Sequence, residues 1–442
     1  MKNNETTLNF IMEADWTELP ADIQHQAKRC LLDTLGALIA GHNTPVADLM
    51  NSLVKEQFKG DDATILVKGS KVSASGAALV NGFANNALDI DDGYRKVKGH
   101  PGACILPVIL AVGEMAPRVT GEKFLTALVV GYEVAIRAGL IRHATCETYH
   151  SSGSWGAVGG AAAAGKLFGL TREKLCHALG AAEYHAPIAP MMKCIEIPGM
   201  GKDSIGWGCM VAVMSAIMAD KGFTGIHPIF DDSPEEEWIN SLGKVFEIMN
   251  LYFKPYSACR WAQPGVDGAL KIMAENRLDP EDIKQIKVFT FKESAALSTH
   301  YPQNTEEAQY NIAFPISAAL MDGEVGPAQV LAPRLFDKDI HRMMDKIQIL
   351  AQDRFQKEFP ARAESEVEIA TTAGTVFSSG VISARWDPHS TLPTDLELEN
   401  KFLWLSSPVI GETKAKSLVT LIWNFDREKT LDKLIDLSGA HK

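Results

Sequence analysis

A chain of 442 residues with 43 Lys plus Arg against 55 Asp plus Glu carries a net charge of −12; 46% of its residues are hydrophobic and 22% charged. This composition excludes wholesale disorder, and the acidic balance argues against nucleic-acid or anionic-membrane binding, which wants a basic face. The length suggests two or three domains, or one large domain with an insert. The seven cysteines, at 30, 104, 146, 176, 194, 209 and 259, are scattered and form no CxxC pair. That points away from a disulfide framework or a thiolate zinc site and toward a reducing cytoplasm. The opening MKNNETTLNF is polar and reads as no secretory signal. Apolar stretches such as 209–219 fall short of the ~18 residues a bilayer span needs. A soluble, cytoplasmic protein is the expectation.

The first half reads as helix after helix. Pro20 and Asp22 mark a start, Ile23, Ala27, Cys30, Leu31 and Leu38 keep helical spacing, and Gly41 is a stop. The run 63–67 is the early strand candidate. Val80, Phe83, Ala84, Ala87 and Leu88 share one helical face, in a segment expected to end at Gly93. Further helices are predicted at 103–115, 121–141, 155–168, 171–183 and 203–221. Several are apolar all round and rich in Gly and Ala, the signature of buried, closely packed helices. Beyond 250 the pattern changes. A strand is predicted at 283–291 and a hairpin from 366–372 and 375–384 around Ala373-Gly374. Helices are predicted at 305–322, 337–346, 394–405, 412–423 and 428–438. The plan is mainly α: a large all-helical domain formed by both termini (1–251 and 391–442), with a smaller α+β lid domain inserted at 252–390.

Four polar points interrupt the apolar helices. The densest is Asp89 to Pro101, with Asp89 and Asp92 expected on one face of a helix C-terminus, the unfavourable end for carboxylates. An EF-hand is excluded, since counting from Asp89 puts Gly at position 5 and His at 12. Few aromatics argue against a carbocation cavity. Gly160 to Leu167 imitates a phosphate loop, but Leu167 replaces the Mg-binding hydroxyl and no strand precedes it. His150 begins a loop before a small-residue helix, where Ser154 could be the N-cap. Lys202 precedes Asp203, a candidate N-cap that would leave the lysine free to reach a cavity. Lys254 to Trp261 lies at the proposed domain junction, where clefts form. Each point has a bland alternative: a solvated loop, a cap, a surface lysine, a linker. Together they gather Lys, His and Arg around Asp in an acidic protein, which suits a small polyanion and acid–base work by histidine. No Cys/His/carboxylate set has the spacing of a zinc or calcium site.

Taken in order, the motifs resemble the MmgE/PrpD family. The matching pieces are LLDTLGALIAG (31–41), ALVNGFANNALDIDD (78–92), GHPGACILPVILAVGE (99–114), GYEVAIRAG (131–139), HSSGSWGAVGGAAAAGKLFGL (150–170), GKDSIGWG (201–208), ADKGFTG (219–225), KPYSACRW (254–261) and AQYNIAFPISAALMDGEV (308–325). The resemblance implies a helical domain with an α+β lid, usually a homodimer, no metal or organic cofactor, and acid–base chemistry α to a carboxylate on a small di- or tricarboxylate. It implies Asp89, His100, His150 and Lys202 as catalytic residues. His100 and His150 would be the acid–base pair, and Asp89 would fix the tautomer of His100. Lys254, Cys259, Arg260 and Lys98 would bind substrate. A 2-methylcitrate dehydratase-like lyase is the first expectation. An iminodisuccinate epimerase-like isomerase, a cis-aconitate decarboxylase-like enzyme and a silent binding member stay open. Three departures bear on that choice: Gly93 where dehydratases and decarboxylases usually carry Thr, Cys259 where the decarboxylase has His, and Phe314 where Tyr is common.

Overall fold

The computed structural model describes residues 2–439. The fold is mainly α, with helices from both ends of the sequence around one core and a four-stranded sheet in the second half. At the centre lies the Ser152–Phe168 helix, buried from Ser152 to Gly165. It packs against the Pro101–Met115, Gly121–Thr145, Arg172–His185 and Ile205–Asp220 helices. Its small residues permit that crowding: a Cβ at Gly159 would come within 2.4 Å of the Ala135 Cβ and 2.6 Å of the Gly131 carbonyl. The Gly121–Thr145 helix is long and apolar enough to cross a membrane, contrary to the shorter apolar runs read from the sequence, but its apolar window is wholly buried in the core. Within it, Glu133 and Arg137 form a buried ion pair, and their remaining groups hold the 238–248 segment.

The chain returns to this body through the Asp395–Ile410 helix, which packs on Ala21–Gly41. The contact includes an ion pair between Lys401 and Asp33, both buried, and Lys401 also donates to the Ile90 carbonyl at 2.7 Å. A second core gathers around the sheet. Its strands are β3 (Ile283–Thr290), β4 (Ile347–Ala351), β5 (Glu364–Thr371) and β6 (Val376–Ser383), in spatial order β4-β3-β5-β6. β3 pairs parallel to β4 and antiparallel to β5, and β5–β6 is the expected hairpin, turned at Gly374 with φ +90°. The Gln263–Asn276 helix covers β5 and β6. In the helical body, β1 (Ala63–Ile65) and β2 (Ser70–Val72) form a small ribbon.

Several expectations are corrected. The helix predicted to run to Gly93 stops at Asn86; Asp89 takes φ +51°, so Asp89 and Asp92 lie in a loop and face different partners. Asn86 turns its side chain forward to Asp91 at 3.1 Å, which stabilises that loop. The 305–322 helix is broken into Thr305–Gln309 and Ala313–Asp322, because the Asn311 side chain accepts from the Phe314 N–H and starts a new helix. β4, the polar Lys2–Glu13 helix and the Pro45–Gln57 helix were not predicted.

Candidate active site

Loops at helix ends of the body meet the crossing segment 252–260 and the lid in one cleft. Asp89, Lys98, His100, Tyr149, Asp203, Tyr252, Lys254, Cys259, Arg260 and Tyr310 line it, with Arg362, Asp387 and His389 from the lid side. Its floor is a charge cluster. His100 stands at the N-cap of the Pro101–Met115 helix, fixed there by Pro101 and by its backbone N–H, which donates to Ser152 Oγ at 3.1 Å. Its Nδ1 lies 2.8 Å from the Asp92 carbonyl and 3.1 Å from Asp91 Oδ2, while Nε2 lies 3.5 Å from Asp89 Oδ1. Asp91 and the Asp92 carbonyl therefore orient the ring, not Asp89 as expected; two oxygen acceptors at Nδ1 put a proton there and turn Nε2 toward the cleft.

Asp89 instead anchors the lysines. Lys254 Nζ donates to its carboxylate at 3.0 Å and to its carbonyl at 3.1 Å, and Lys202 Nζ stands 4.0 Å away. Lys202 does not line the cleft. Its ammonium donates to the Asn86 carbonyl and to Gln309 Oε1 at 2.6 Å, and its backbone is held at φ +38°. The expectation that it points free into the cavity is corrected: it lies behind Asp89 and fixes the loop. Asp203 is not the N-cap either, a place taken by Ser204. Its carboxylate accepts from Ser152 Oγ at 2.7 Å and from the Tyr310 hydroxyl at 3.2 Å, tying three loops together.

Burial alone would lower the pKa of His100, but the Asp91 carboxylate overrides it and holds the ring up at about 9. Burial would raise Asp91; the adjacent His100 draws it down to about 2. His100 is thus an imidazolium at neutral pH, not a group titrating near 7. Burial opposes the charge of Lys254 too, yet Asp89 pushes its pKa above the ordinary lysine value. Burial pushes the Cys259 thiol up to about 12, which removes it as a neutral-pH base. Beneath the cluster, burial raises Asp92 to about 7 although the Tyr132 hydroxyl donates to it at 2.6 Å and the Gly102 N–H at 3.0 Å. Asp89, Asp91 and His100 offer ligand atoms within 4.8 Å of one another. The two ammoniums beside Asp89 supply the positive charge a cation would bring and would repel one, so the set suits an ion-paired cluster better than a metal.

Other expected site residues fall differently. His150 does not line the cleft; Tyr149 does. His150 pairs by backbone with Pro190 and its carbonyl lies 3.3 Å from His143 Nε2. Its Nδ1 is buried without a partner among the described residues, and burial followed by Arg142 lowers its pKa. Ser151, not Ser154, stands at the N-cap position of the next helix, without a side-chain capping bond among the described residues. Arg260 lines the cleft, but its Nη atoms donate to Gln263, Asp387 and the Phe253, Ala384 and Arg385 carbonyls, making it a strut to the lid. Lys98 is exposed at the cleft, its ammonium 5.0 Å from the Tyr149 ring. Phe314 is fully buried away from the cleft, where Tyr310 supplies the phenol instead. Asp91, Asp203, Tyr252 and Tyr310 were missed. The three-carboxylate run around 89–92, the GKDS piece and the AQYN piece held the signal for all but Tyr252.

The cleft thus sets His100, held in its charged form by Asp91, in one site with Lys254, which is paired with Asp89. The MmgE/PrpD N-terminal domain matches residues 5–244 and the MmgE/PrpD C-terminal domain residues 256–427, so the chain belongs to the MmgE/PrpD family. The C-terminal match includes the helices that return to the body. Among similar proteins, a cis-aconitate decarboxylase-like protein of Aspergillus oryzae is 24% identical, covering 97% of this chain and 95% of its own length. The cis-aconitate decarboxylase of Mus musculus is 25% identical over 90% of this chain and 86% of its own. That of Aspergillus terreus is 21% identical over 95% and 92%.

Proposed function

We propose that this protein is a lyase that decarboxylates a small unsaturated tricarboxylate of the cis-aconitate kind without a cofactor. The observation that carries the proposal is His100, held as an imidazolium by Asp91 with Nε2 turned to the cleft beside Lys254. In the reaction the C–C bond to one carboxylate breaks and CO2 leaves. The electron pair passes into the conjugated system, where Lys254 meets the developing charge on a remaining carboxylate. The carbon then takes the proton of His100 Nε2, which leaves a neutral ring; a proton from solvent restores the imidazolium, an uptake that the Asp91 carboxylate at Nδ1 favours. Preorganised charge of this kind is usually the largest catalytic contribution. Lys98 and Arg362 at the cleft favour a polyanion. The named relatives support decarboxylation over the dehydratase expected first. Lys202 and Arg260 act as supports, and His150 has no part in this scheme.

The test is incubation of the purified protein with cis-aconitate in deuterated water. CO2 release with one deuterium in the product is expected, and activity should survive EDTA. Failure with cis-aconitate but olefin formation from 2-methylcitrate would replace decarboxylation by dehydration. We also propose a homodimer, with the exposed apolar side chains Tyr184, Ile188, Ile197, Trp207 and Phe223 as candidates for its interface. Light scattering giving one 48.1 kDa chain per particle would refute it.

A further inference from the structure

Tyr252 and Gly93 form an antiparallel bridge: the Tyr252 N–H donates to the Gly93 carbonyl at 2.9 Å and the Gly93 N–H to the Tyr252 carbonyl at 3.0 Å. The bridge folds the phenol back over the glycine. A Cβ on residue 93 would stand 2.2 Å from the Tyr252 Cζ and 2.3 Å from its hydroxyl oxygen. Any side chain at 93 would therefore have to displace the ring. The guanidinium of Arg260 lies 4.6 Å from the ring centroid and is itself anchored to Asp387, so the ring is held on a second side.

The three phenols of the cleft differ in what their hydroxyls do. Tyr149 donates to the Lys98 carbonyl and Tyr310 to Asp203. The Tyr252 hydroxyl makes no hydrogen bond among the described residues, although the residue is only 6% exposed and faces the cleft. A hydroxyl on a rigidly held, nearly buried ring, unpaired within the described residues and open to the cleft, is set for a partner that arrives from outside. Burial favours the neutral phenol, which donates. We propose that Tyr252 is a substrate-binding residue that donates a hydrogen bond to a substrate carboxylate, and that Gly93 is the positioning residue that makes room for it. The inference rests on the polycarboxylate reading above. It makes the 93/252 pair a determinant of specificity: the ring claims the volume beside residue 93, and its hydroxyl selects a substrate with an oxygen there.

The probe is the saturated tricarboxylate tricarballylate, which binds but has no double bond to react, titrated calorimetrically into the full chain. Tyr252→Phe should weaken binding roughly 10- to 100-fold, as for a hydrogen bond to a charged acceptor, with an unchanged melting temperature because no protein bond is lost. Gly93→Ala should lose a similar factor, and the double variant should be no worse than Gly93→Ala alone, since the glycine acts through the ring. Wild-type affinity in Tyr252→Phe overturns the role of Tyr252. Additive losses overturn that of Gly93. Absence of binding by the wild-type protein to tricarballylate, citrate and cis-aconitate alike overturns the polycarboxylate reading, and this inference with it.

Discussion

His100 and His150 occupy matched places and have opposite fates. Each is 7% exposed, and each sits where the chain enters a helix of the buried core. Burial and the positive end of a helix both disfavour an imidazolium. At His100 a buried carboxylate 3.1 Å away reverses the balance and holds the pKa at about 9. At His150 no carboxylate among the described residues answers, Arg142 adds to the burial, and the pKa falls. Position in the chain makes a histidine look functional; the counter-charge decides whether it carries a proton at neutral pH.

The largest effect should come from removing the charged ring itself. His100→Gln should lower kcat roughly 10²–10⁴-fold, measured by CO2 release, with a smaller change in KM. Next is the counter-charge. Asp91→Asn should move the loss of activity at high pH from near 9 down to below the ordinary histidine value, so that kcat at pH 8 drops about tenfold or more; a profile that does not move would show that Asp91 does not set the state of His100. His150→Gln should change kcat less than tenfold, and a loss equal to that of His100→Gln would put His150 on the substrate and remove the contrast. The smallest effect is on stability. The folded pKa of His100 lies above 6.5, so its pairing stabilises fully below about pH 6.5 and is lost as pH rises through about 9. His150 has the opposite sign, stabilising above its ordinary pKa and losing that as pH falls. Melting curves from pH 5 to 10 should therefore lose their decline toward pH 9 in His100→Gln and their acid-side decline in His150→Gln.

The sequence made the helical body legible because its helices are long, apolar and bounded by Pro and Gly, as at Pro20 and Gly41. β4 was hidden because IQILA is short and its neighbour in the sheet is 61 residues upstream by register, Ile286 to Ile347. The polar Lys2–Glu13 helix depends on tertiary contacts, with Asn4 held by Asp231. At the site, motif matching found Asp89, His100 and Lys254 but misassigned which carboxylate orients the ring. That depends on the turn at Asp89, a left-handed backbone state that residue type alone does not reveal. Tyr252 left no trace because its meaning lies in a contact with a glycine 159 positions away, visible only once the bridge is formed.

The bond from Lys401 to the Ile90 carbonyl has a consequence for synthesis. The backbone of the loop that presents Asp91 and His100 is steadied by a residue near the far end of the chain, and the same ammonium neutralises Asp33 in the core. On the ribosome the helices before residue 250 are complete long before Lys401 leaves the tunnel. Until then Asp33 lacks its counter-ion, and the Ala21–Gly41 helix lacks the Asp395–Ile410 helix that packs on it. The nascent body therefore cannot settle early into its final form, and the acid–base centre is assembled only as translation finishes. Nascent chains stopped at residue 390 should be cut by a protease that spares the finished protein.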